Sequence, residues 1–77
     1  MALDTATMDG CRARIRRNGV QAGEARKHHD ESGAKRCRED ARATAYYSGL
    51  APAEWESIYA DGYREGTGDG VQFHSGR

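Results

Sequence analysis

WESIYADGYREG, residues 55–66, carries the densest pattern in this chain. Trp55, Ile58, Tyr59, Gly62, Tyr63 and Gly66 recur at the spacing of a single helical face. Glu56, Ala60, Asp61, Arg64 and Glu65 fall mostly on the rest of the wheel. Each glycine costs a helix about 1 kcal/mol relative to alanine. Two glycines on the packing face therefore admit two readings: close approach of another backbone, or fraying toward the chain end. On either reading, an aromatic helix over 52–66 must be covered by something.

The residues before it form the clearest boundary. Gly49 suits the end of a helix and Pro52 the first turn of the next, where a missing N–H costs nothing. Glu54 and Glu56 sit where the helix dipole favours acids, and Leu50 can pack back as a staple. Upstream, residues 20–48 are helical in composition. Ala34, Cys37, Ala41, Thr44 and Tyr47 make a stripe of mostly small residues that would let a second helix come close. Ser32-Gly33 interrupts this segment, as a kink in one helix or a loop between two. Earlier still, Thr5 or Thr7 can cap a helix over 5–18 whose Met8, Cys11 and Ile15 share a face. Asn18-Gly19 is expected to stop it. After Gly66 the sequence TGDGVQFHSGR, residues 67–77, reads as a flexible glycine-rich tail in which Val71 and Phe73, alternating with polar residues, could add a short strand or an anchor. The expectation is an all-α domain over 1–66, a helical hairpin or three-helix arrangement, followed by that tail.

The totals limit what such a domain can bury. The chain has 77 residues, and Leu, Ile, Val and Phe together supply only seven of them. Small domains are marginal even with ordinary cores. A second chain, as protein partner or homo-oligomer, is the expected remedy. The 12 Lys and Arg balance 12 Asp and Glu, but unevenly along the chain. Residues 1–45 hold ten basic and seven acidic side chains, and residues 46–77 hold two and five. The halves can attract one another, within a chain or between chains. No secretory h-region and no apolar run of membrane-spanning length occurs, which points to a cytoplasmic protein with Cys11 and Cys37 reduced.

Chemistry-bearing residues are few. Cys11, Cys37, His28, His29 and His74 lack the close ligand spacing of a zinc site, and GTGDG at 66–70 lacks the lysine of a phosphate-binding loop. No metal, cofactor or catalytic role is expected. Aromatic residues and arginine dominate protein interfaces, so Tyr46, Tyr47, Trp55, Tyr59 and Tyr63 are the candidate contacts, with Trp55 also a natural core residue. The alternative is nucleic-acid or anion binding through Arg12, Arg14, Arg16, Arg17, Lys35, Arg36 and Arg38. Interspersed acids and zero net charge weigh against it. A third reading is a chain that folds on meeting its partner. Arginine exceeds lysine ten to two, a bias of GC-rich genomes. With the small size it fits an accessory protein of a phage or mobile element. Such a protein would act by binding and inhibiting a host factor or defence complex.

Overall fold

The computed structural model describes residues 5–68, and they form three helices. These are α1 (Thr5–Lys27), α2 (Glu31–Ser48) and α3 (Pro52–Thr67). The all-α expectation holds. The segment read as a tail is part of α3 as far as Thr67, and Gly68 in the left-handed conformation ends that helix. Residues 69–77, with Val71 and Phe73, lie outside the described residues.

The first two helix boundaries differ from the expectation. α1 does not stop at Asn18-Gly19 but runs through Gly19 and Gly23 to Lys27. Its end falls at His28-His29-Asp30. There the His29 N–H donates to the Arg26 carbonyl and the Asp30 N–H to that of Ala25, closing the last turn. His29 accepts the left-handed conformation at φ 63°, a role more usual for glycine. Ser32-Gly33 is neither kink nor break. It lies in the first turn of α2, where the Gly33 N–H donates to the Asp30 carboxylate at 2.9 Å. The boundary between α2 and α3 matches the reading. Gly49 at φ 80° ends α2, the Leu50 N–H donates back to Ala45, and Pro52 opens α3. Leu50 and Ala45 are both buried, the apolar contact that accompanies this type of helix end.

Gly19 and Gly23 continue the helix because α3 lies directly on them. A methyl group built at Gly19 would overlap the carbonyl oxygen of Tyr59, and one at Gly23 that of Tyr63. Built at Gly62 it would strike the carbonyl of Arg16, and at Gly66 that of Val20. All four overlaps fall inside the 3.0 Å that real Cβ atoms respect, and all are with backbone, which cannot swing away. Residue order rises together on both helices, so α1 and α3 run parallel and meet backbone to backbone. The cover for the aromatic helix is thus α1 of the same chain.

Around this contact sits a small core of Ile15, Ala22, Ala41, Ala45, Leu50, Trp55 and Tyr59. Met8, Ala34, Cys37, Ile58 and Tyr63 pack against its edge. α1 is the central element. α2 and α3 each lie along it and scarcely touch one another.

Glycine-to-alanine substitutions should separate the packing glycines from the rest. Gly66→Ala and Gly19→Ala should lower stability by about 1–3 kcal/mol, as overpacking does. Gly10 is also helical, but a methyl there meets nothing within 4 Å, so Gly10→Ala should raise stability by about 1 kcal/mol. Urea unfolding followed by helical circular dichroism reads both signs.

Candidate functional site

The arginines of α1 are largely committed to neighbouring helices. Arg12 donates from Nε to Glu54 at 2.9 Å and also pairs with Asp9. Arg16 reaches Glu65, so two ion pairs tie α1 to α3. Arg14 grips Asp40 of α2 with two hydrogen bonds of 3.0 Å each. Asn18, the buried polar residue of the core, donates to the same carboxylate at 2.7 Å. Hydrogen bonds from Arg14 and then Asn18 hold the Asp40 carboxyl below its ordinary pKa. The same contact raises the Arg14 guanidinium further, as Glu54 does for Arg12. The attraction foreseen between a basic front and an acidic back is therefore made inside one chain.

Arg38 has a different environment. Its guanidinium lies 5.4 Å from the ring centres of both Trp55 and Tyr59, and 3.9 Å from the carboxylate of Glu56. Trp55 meets Tyr59 edge to face, and Tyr59 stacks on Tyr63. Burial pushes the Tyr59 phenol above its ordinary pKa and does the same to the Cys37 thiol.

The candidate residues therefore fall into separate groups. Trp55 and Tyr59, expected at an interface with another chain, are each only 7% exposed and belong to this chain's own core. Tyr63 is half-buried beside them. Tyr46 and Tyr47 remain outside, 90% and 70% exposed. Of the seven cations read as nucleic-acid contacts, Arg12, Arg14, Arg16 and Arg38 have acidic partners. Arg17, Lys35 and Arg36 are exposed but scattered. Arg17 stands two residues beyond the fully buried Ile15, hence on the far side of α1, and Lys35 and Arg36 point about 100° apart on α2.

Because α2 and α3 stand apart on α1, a groove of about 860 Å³ opens between them. Tyr59, Ala60 and Tyr63 line it from α3, and Ala34, Lys35 and Arg38 from α2. Arg26 of α1 and Arg64 of α3 also border it, with Glu31 and Glu56 as the acids. Ala60 and Arg64 escaped the sequence reading because they lie off the aromatic stripe. Their own spacing, one turn apart beside Tyr63, was the available signal. A smaller hollow of about 540 Å³ between α1 and α2 is bordered by Gly10, Cys11, Ala43, Thr44 and Tyr47.

Among the described residues no three His, Cys, Asp or Glu side chains converge as a metal site, and no helix is long and apolar enough to cross a membrane. No family model matches the chain, and no curated protein and no solved structure is found to resemble it.

The Asp40 cluster makes a pH-dependent contribution whose sign is fixed. A carboxyl with a lowered folded pKa adds stability above the unfolded value of about 3.9, and loses it as the pH falls through the folded value. Asp40→Asn should therefore be less stable than the wild type near neutral pH, and the gap should close in acid. Thermal melts of both proteins across that range measure it.

Proposed function

We propose that this protein is a small interaction module that acts by binding another protein. The observation that carries the reading is the placement of the aromatic side chains. Three of the five candidate rings are used in the chain's own folding, whereas Tyr46 and Tyr47 are left in solvent at the end of α2. An aromatic ring in water forgoes burial worth about 1.5–3 kcal/mol on the transfer scale. Two adjacent ones on a rigid helix, in a chain so short of large apolar residues, are best accounted for by a partner that covers them. Tyrosine suits that role because it brings a large contact area at low entropic cost and keeps a polar tip for water when unbound.

Nucleic-acid binding is the weaker proposal. Most of the arginines that would track phosphates are paired to carboxylates, and the remainder do not share a face. A protein-binding module of this size would act by occupation. It would hold or block a surface on its partner, as an accessory protein of a mobile element would block a host factor.

A photo-crosslinking amino acid placed at Tyr46 or Tyr47 should trap a discrete protein adduct in the native cells. The same group at Arg17, exposed on the far side of α1, should not. Binding of the identified partner by Tyr46→Ala and Tyr47→Ala should weaken roughly tenfold or more, the usual loss at an aromatic hot spot, with helical content unchanged. Undiminished binding by the double variant, or recovery of nucleic acid in place of protein, overturns the reading.

A further inference from the structure

The groove between α2 and α3 is left open by the three helices. α1 is covered on two flanks, while α2 and α3 face each other across open space with tyrosines between them. We infer that this groove receives an amphipathic, acidic helix of the partner protein, an inference that rests on the protein-binding reading above. It names the chemistry of the partner.

The charge of the groove favours that occupant. Its border carries four cations, Arg26, Lys35, Arg38 and Arg64, against two acids, Glu31 and Glu56, on a molecule of zero net charge. Arg64 is held by Asp61 of its own helix, and Arg38 by Glu56 and the aromatic rings. Arg26 and Lys35 have no acidic partner among the described residues. Two unneutralised cations, against one unpaired acid in Glu31, thus border a groove lined also by Tyr63, Ala60 and Ala34. The apolar lining suits apolar side chains and the cations suit carboxylates, which is how a helix is gripped in a groove. The small Ala34 and Ala60 leave room for a helix to approach.

Tyr46 extends the same site. Lys35, Arg42 and Tyr46 are spaced i, i+7 and i+11, so they lie along one line of α2. A helix laid beside Lys35 would meet Arg42 and then the exposed ring of Tyr46. The aromatic helix of a second copy does not offer the complement. Glu54 and Glu65, the acids flanking its aromatic helix face, are already paired to Arg12 and Arg16. Residues 69–77 carry one acid and one arginine, hence no acidic excess. Tyr59, enclosed by Arg38, Trp55 and Tyr63, offers no free ring face for a base.

The test is selection from a displayed library of amphipathic helices of about 18 residues, roughly five turns. Each carries a leucine face and flanks randomised among Glu, Lys, Gln and Ser. Against the full chain, selected helices should be enriched in Glu over Lys by at least roughly tenfold, since like charges across an interface are strongly disfavoured. The double variant Arg26→Glu, Lys35→Glu should reverse the preference. Ala60→Trp, at an exposed position, should abolish enrichment while circular dichroism and melting temperature stay near those of the wild type. Four results overturn the inference: no enrichment, enrichment indifferent to both variants, tighter binding of a labelled oligothymidylate than of a selected helix, or a dimer in sedimentation that Ala60→Trp disrupts. If crosslinks at Tyr46 and Tyr47 still trap a protein in those cases, the interaction module stands and the groove assignment alone falls.

Discussion

Two helices of this protein touch where neither has a side chain. Gly19 and Gly23 on α1 oppose Gly62 and Gly66 on α3, and each pair leaves room only for the other's backbone. The closeness compensates for a shortage of bulky residues. Glycine and alanine lose no side-chain rotamer freedom on burial, so a core built from them avoids one of the two entropic costs of packing. In return the backbones gain dense dispersion contacts, of the kind that small-residue motifs exploit between helices elsewhere. The few large side chains, Trp55, Tyr59, Leu50 and Ile15, are then enough to surround the contact.

The rest of the architecture follows. α3 is drawn flush against α1 and runs parallel to it, so α2 must return in the opposite direction along another flank of α1. It scarcely touches α3. Arg38 partly bridges the groove between them by reaching from α2 over Trp55 and Tyr59. The ion pairs act on register more than on stability. Exposed pairs each contribute little. Yet Arg12 to Glu54 and Arg16 to Glu65 set the alignment of α1 with α3, while Arg14 and Asn18 on Asp40 set that of α1 with α2.

The helical class, the aromatic face and the boundary at Gly49 and Pro52 were legible because each rests on local chemistry: periodicity, a left-handed helix end and a ring that suits a first turn. The first two helices were divided in the wrong place because the same residue type does opposite things. Asn18-Gly19 has the local form of a helix stop, and nothing within a turn of it shows that α3 will lie on Gly19. The true end, at His29, uses a residue that only tolerates its conformation. Gly62 and Gly66 admitted two readings for the same reason. Their partners are about forty residues away, and a single segment does not reveal them. Charge was legible as an attraction between halves. Which arginine meets which acid required the fold.

Surface function is best read from what folding leaves unspent. An arginine paired within the chain must give up that partner before it can serve another, and a tyrosine in the core must be unpacked. Subtracting these commitments removes Arg12, Arg14, Arg16, Trp55 and Tyr59 from the candidate contacts. Tyr46 and Tyr47 remain, with Arg26 and Lys35 beside the groove and Arg17 and Arg36 apart from it. A phosphate backbone needs a longer row of cations than Lys35 and Arg42, the two that share a line of α2. An amphipathic helix with a leucine face and acidic flanks needs an apolar trough bordered by free cations, and that is what remains.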